Sequence, residues 1–130
     1  METLRLKTLL DEKLGTDANI AAVYLFGSQA RGAARPDSDV DLGILYRTAP
    51  PSTLLDQPFE LQAELSSGLG KAVDLVVLNT APVDLVQRIL RDGQLLLEPD
   101  KSRRIAFEVQ ARNAYFDLLP ILQRYRRKSA

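Results

Sequence analysis

The chain contains no cysteine and no histidine among its 130 residues. The absence of cysteine excludes disulfides, thiolate metal sites and cysteine nucleophiles. The absence of histidine excludes a Ser-His-Asp triad, imidazole zinc sites and the most common general base. Any catalysis by this chain must therefore depend on carboxylates, hydroxyls, lysine, arginine and bound metal.

The sequence also lacks a net charge and a long apolar run. Seventeen basic residues balance seventeen acidic ones, so no overall field attracts nucleic acid or an anionic membrane. The first fifteen residues mix charges with leucines, unlike a signal peptide, and no apolar run reaches the length of a membrane span. We expect one domain over residues 1–130, located in the cytoplasm.

Hydrophobic patterning predicts alternating helices and strands. Continuous apolar runs at Ile20–Phe26 and Val40–Tyr46 are typical of buried strands. The other predicted elements are strands at 72–78 and 94–97 and helices at 4–14, 56–69, 80–92 and about 101–127. This order predicts an α/β (α+β) fold, a small mixed sheet whose helices pack mainly on one face and leave the other face available for a site.

A glycine-serine pair ends the first predicted strand, and two aspartates begin the second. Gly27 allows the backbone to approach a ligand, and Ser28 could donate to a phosphate oxygen or cap the following turn. Asp39 and Asp41 are one residue apart, so their side chains leave the same face of the strand. Two like charges side by side become favourable when a hard cation such as Mg²⁺ lies between them.

A third carboxylate, Asp74, lies within the otherwise apolar run of residues 72–78. A charge inside a buried strand is costly unless it is paired or bound to metal. Its expected partner is the Asp39 and Asp41 pair on a neighbouring strand, and the alternative is a charge tolerated on an edge strand. A calcium loop is a poor explanation for the aspartates, because Leu42 replaces its required glycine.

Together these residues resemble a known family. Gly27-Ser28, ten residues, Asp39-Val40-Asp41 and a later Asp74 look like the GSx10DxD pattern of the DNA polymerase beta-like nucleotidyltransferase superfamily. The likeness covers roughly residues 20–78, and the short chain resembles the minimal nucleotidyltransferases. These include the MntA-type antitoxins of HEPN/MNT toxin–antitoxin pairs. The resemblance implies a nucleotidyltransferase fold in one domain.

The resemblance also implies a metal-dependent mechanism. Asp39, Asp41 and Asp74 would hold two Mg²⁺ ions, and Asp74 would accept the proton of the attacking hydroxyl. ATP would be the substrate, with pyrophosphate leaving after in-line attack at the α-phosphorus.

Three further residues gain candidate roles from the same resemblance. Gly27 and Ser28 would hold the outer phosphates of the nucleotide. Arg31, or Arg35 beside it, would offset charge on the leaving group, and either could equally form a salt bridge within the loop.

The implied function is that of an antitoxin that transfers AMP to a tyrosine hydroxyl of a HEPN RNase toxin. Two alternatives remain open: neutralisation by binding and occlusion alone, and nucleotidylation of a small molecule, as in aminoglycoside-modifying relatives. Direct action on nucleic acid is disfavoured, because neither a basic groove nor interleaved aromatic residues surround the motif. The long last helix carries more apolar residues than one face can bury on a small sheet, which favours a protein partner.

Overall fold

A computed structural model of the chain describes residues 2–14, 17–27, 39–48 and 59–129. Its elements, in chain order, are α1 Glu2–Leu14, β1 Ile20–Phe26, β2 Val40–Tyr46, α2 Phe59–Leu69, β3 Val73–Val77, α3 Val83–Asp92, β4 Gln94–Leu97 and α4 Lys101–Ser129. The predicted element order is confirmed. The predicted start of the second helix, at residues 56–58, lies outside the described residues.

The four strands form one mixed sheet in the order β3-β2-β1-β4. The inner strand β1 is antiparallel to both β2 and β4, whereas β2 and β3 are parallel. β3 and β4 are therefore the edge strands. The mixed sheet agrees with the predicted fold class.

Helices cover both faces of this sheet, which corrects the expectation that they pack mainly on one. On the first face, α1 and α2 bury residues such as Leu10 and Leu65 against the sheet. On the second face, α3 and α4 contribute Ile89 and Phe107 to a separate core. The physical reason lies in β1, since every residue from Ile20 to Leu25 is buried and successive side chains point to opposite faces.

The candidate site lies on the second face of the sheet, the face that α3 and α4 cover. Gly43 of β2 lies directly beneath α3, where an added Cβ would come within 3.1 Å of Leu78 and 3.5 Å of Ile89. The backbone N–H of Asp100 donates to the carbonyl of Ala21 near the start of β1, at 3.1 Å. α4 therefore begins at the end of the sheet remote from Phe26. Across the described residues, no helix combines the length and apolar character needed to cross a bilayer.

Candidate active site

Two of the three predicted aspartates lie side by side on neighbouring strands. Asp41 of β2 is in register with Asp74 of β3, and on its other side it is in register with Phe26 of β1. Adjacent strands are about 4.8 Å apart, and residues in register project to the same face. The sheet therefore brings the carboxylates of Asp41 and Asp74 together on its second face.

The pattern of β2 explains why Asp41 faces this way. Val40, Leu42 and Ile44 are buried in the core beneath α1 and α2. Because side chains alternate along a strand, Asp41 projects to the opposite face. Asp39, two residues earlier, is exposed and immediately precedes the strand, whereas Asp41 is half-buried.

The charges of Asp74 and Asp39 both act on the Asp41 carboxyl. Its pKa is raised above the ordinary aspartate value, first by burial, then by the charge of Asp74, and then by the charge of Asp39. The negative form of Asp41 is thus held at a cost in the folded protein. A bound cation would relieve that cost, because it would lie among like charges.

Asp74 occupies the open edge-strand position that the sequence offered as the alternative to burial beside the other aspartates. β3 is an edge strand and Asp74 is exposed, so burial alone does not require a metal partner for it. As the side chains lie, the described residues contain no group of three or more acidic side chains close enough to hold a metal ion together. Full convergence of Asp39, Asp41 and Asp74 on metal therefore stays a prediction.

Gly27 meets the candidate site directly. It has a positive φ of 74°, a backbone conformation that favours glycine. A Cβ at this position would overlap Oδ2 of Asp41 and lie 3.2 Å from its Cγ. The absence of a side chain at Gly27 thus leaves room for the Asp41 carboxylate. Ser28 and Arg31, predicted beside it, lie outside the described residues, as does Arg35.

A hydrogen-bond network on the same face as the candidate site was not found by sequence reasoning. Tyr24 projects to the same face as Phe26 and donates a hydrogen bond from its hydroxyl to Oε1 of Glu108, at 2.6 Å. Glu108 also pairs with Arg104 at 3.0 Å. Burial and the neighbouring Glu108 raise the pKa of the Tyr24 hydroxyl, so it remains a neutral donor. This network fixes α4 over β1, and the only signal in the sequence is a tyrosine within an apolar strand.

A family profile matches the segment of the chain that contains the candidate site. The profile of the family described as "Polymerase beta, Nucleotidyltransferase" matches residues 8–102, a segment that includes all three aspartates and Gly27. This chain belongs to the polymerase beta nucleotidyltransferase family.

Within this family, two curated relatives are protein adenylyltransferases named MntA. The protein from Shewanella oneidensis is 36% identical over 76 residues, which span 57% of this chain and 51% of the relative. The protein from Thermococcus cleftensis is 33% identical over 86 residues, spanning 66% of this chain and 80% of the relative. The matched segment thus covers about half the length of the Shewanella protein.

Solved structures of this family resemble the chain over nearly its whole length. A crystallised toxin–antitoxin with AMP-PNP contains a chain with a TM-score of 0.79 and 26% identity, with 99% of this chain and 98% of that chain covered. A complex of tri-AMPylated Shewanella oneidensis HEPN toxin with MNT antitoxin gives a TM-score of 0.74 and 25% identity, with the same coverage. The likeness therefore includes α4, beyond the residues that the family profile matches.

Proposed function

We propose that this protein is a magnesium-dependent nucleotidyltransferase that transfers AMP from ATP to a tyrosine hydroxyl of a HEPN-domain toxin and so acts as its antitoxin. The observation that carries the proposal is the register of Asp41 with Asp74, next to a glycine whose missing side chain makes room for the Asp41 carboxylate. The proposed reaction places the protein in the cytoplasm, where ATP is available.

The residues present fit a divalent cation. Carboxylate oxygens are the ligands that Mg²⁺ prefers in proteins, usually together with phosphate oxygens of a substrate. Asp39, Asp41 and Asp74 would hold two such ions, which would neutralise triphosphate charge and polarise the reacting oxygens. The effect of Asp74 and Asp39 on the pKa of Asp41 supports this assignment, because both charges act on the Asp41 carboxyl.

The chain's own residues then have distinct tasks. The tyrosine oxygen of the acceptor forms a bond to the α-phosphorus, and the bond from that phosphorus to the bridging oxygen breaks to release pyrophosphate. Asp74, exposed on the edge strand β3, takes the hydroxyl proton. Gly27 keeps the backbone clear of Asp41, and Ser28 and Arg31 are proposed to contact the phosphates.

The choice of nucleotide and acceptor comes from the relatives. Both curated relatives are protein adenylyltransferases, one similar structure contains AMP-PNP, and another contains an AMPylated HEPN toxin. ATP as donor and a HEPN protein as acceptor are therefore the first pair to test.

The test is incubation of the purified protein with Mg²⁺, labelled ATP and a HEPN-domain protein of the same organism. We expect label on a tyrosine of the HEPN protein, no label with EDTA, and labelling about 100- to 1000-fold slower with Asp41→Asn. A matched control, Asp84→Asn, changes an exposed aspartate of α3 and should leave transfer unchanged.

Neutralisation without transfer would contradict the proposal. If the Asp39→Asn/Asp41→Asn double variant still silences the HEPN protein, occlusion accounts for the antitoxin activity. Transfer of AMP to an aminoglycoside but to no protein would assign the small-molecule alternative instead.

A further inference from the structure

The side of α4 that faces away from the sheet carries an exposed apolar stripe. Ile105, Val109 and Phe116 are 45%, 47% and 58% exposed. Their spacing of four and seven residues places them within about 40° of one another around the helix. Phe107 and Ala111 project from the opposite side and pack into the core of the second face. The stripe is therefore not part of the core on the second face.

The charges along this stripe have one predominant sign. Arg112 falls between Val109 and Phe116 on the same side of the helix, and Lys101 lies one turn before Ile105. Both cations are exposed. Of the two nearby anions in α4, Glu108 is already bound by Tyr24 and Arg104 at 2.6 and 3.0 Å, and Asp117 projects about 100° away from Phe116 around the helix. The surface is thus apolar and basic.

We propose that Ile105, Val109, Arg112 and Phe116 form the docking surface for a helix of the acceptor protein whose apolar ridge is flanked by carboxylates. The identity of that acceptor rests on the function proposed above. Anchors at i, i+4, i+7 and i+11 along one helix suit contact with a second helix, and the exposed cations select an acidic partner.

Two other occupants fit this surface less well. In an antiparallel pair of two copies, the Arg112 guanidinium groups would meet near the centre, and such like-charge contacts are unfavourable. RNA would meet the cations, but the apolar side chains of Ile105, Val109 and Phe116 make up most of the stripe. Apolar side chains offer a phosphate backbone no partner.

The experiment is titration calorimetry with a HEPN-domain protein of the same organism, using the full chain. Val109→Glu places a negative charge in the stripe, and Gln110→Glu places the same charge one residue away, on a different side of the helix. We expect Val109→Glu to weaken binding at least about tenfold and Gln110→Glu to stay within about twofold. The affinity should fall as salt rises, less steeply in Arg112→Gln.

Wild-type affinity in the Val109→Glu variant would overturn the docking proposal, as would failure of the wild-type chain to bind the HEPN protein. Conversion of a dimer to a monomer by Val109→Glu would assign the surface to a second copy instead, and loss of RNA binding alone would assign it to RNA. Asp41→Asn separates the two proposals, because it should slow AMP transfer strongly and leave binding intact. Binding through the stripe without any transfer would support docking and contradict the proposed reaction.

Discussion

Polar side chains have different partners at the two ends of the sheet. At the end away from the site, Asn79 accepts from the backbone N–H of Tyr46 and donates to its carbonyl, both at 2.9 Å. Arg47 pairs with Asp100 at 3.0 Å. At the site end, Asp41 is half-buried beside the like charges of Asp74 and Asp39.

This difference separates structural polar groups from functional ones. A side-chain amide that hydrogen-bonds one backbone N–H and one carbonyl stabilises the fold without a ligand. A carboxylate placed beside other carboxylates costs free energy in the isolated chain and becomes favourable when a cation binds. We therefore expect substitutions at the two ends to separate activity from stability.

The largest effect should come from Asp41. Asp41→Asn is expected to lower the rate of AMP transfer about 100- to 1000-fold, because a neutral amide cannot replace the carboxylate at the site. At the opposite end, Asp100→Asn keeps a side chain able to cap α4 and should leave the rate within about twofold. Radiolabel transfer to the HEPN protein measures both. Equal rates for the two variants would remove the distinction between the ends.

The second effect concerns two glycines with positive φ. Gly27→Ala and Gly70→Ala should each cost about 1–2 kcal/mol of stability, since both adopt a left-handed conformation. Only at Gly27 would the new methyl group meet Asp41, whereas at Gly70 no atom lies within 4 Å. We expect Gly27→Ala alone to lower transfer, by about 10- to 100-fold. Thermal unfolding and initial rates distinguish the two outcomes, and equal rates would contradict a role for Gly27 at the site.

The third effect tests the structural end. Asn79→Ala leaves two backbone groups of Tyr46 without their partner and should cost about 1–3 kcal/mol. The melting temperature should fall by several degrees, with AMP transfer unchanged at temperatures where the variant is folded. Thr80→Ala, at an exposed neighbouring residue, is the control. A loss of transfer without a loss of stability would show that the far end belongs to the site.

The smallest effect is the dependence of stability on pH in the absence of magnesium. Because the pKa of Asp41 is raised in the folded protein, the charged form of Asp41 destabilises the fold. This destabilisation is absent below the pKa of the unfolded carboxyl and complete above the folded pKa. Asp41→Asn should therefore melt about 1–2 °C higher than the wild type at neutral pH, and the difference should vanish in acid. Melting curves in EDTA across this range test the sign. A variant less stable than the wild type at neutral pH would contradict it.

Much of this fold is determined locally and could be read from the sequence. The apolar runs of β1 and β2 predicted both strands with the bounds that the structure shows. The alternation within β2 also predicted that Asp41 faces away from Val40 and Leu42, and the two cores confirm it. Hydrophobic periodicity and composition are enough to predict an element whose structure is determined by its own residues.

Other features depend on contacts between distant segments. The coverage of the second face depends on α3 and α4 crossing back over the sheet, and the bond between Tyr24 and Glu108 joins residues 84 positions apart. The position of Asp74 on an edge strand likewise follows from strand order, which no single apolar run encodes. Such pairings arise from tertiary packing, so they were visible only in the folded structure.

The central claim is that Asp41 and its neighbouring carboxylates bind ATP through magnesium, and titration calorimetry with ATP tests it most directly. We predict that the wild-type chain binds ATP with Mg²⁺ but far more weakly with EDTA, and that the Asp39→Asn/Asp41→Asn variant loses the magnesium-dependent part. Equal ATP affinity in magnesium and in EDTA, or unchanged magnesium-dependent binding by the double variant, would contradict the account.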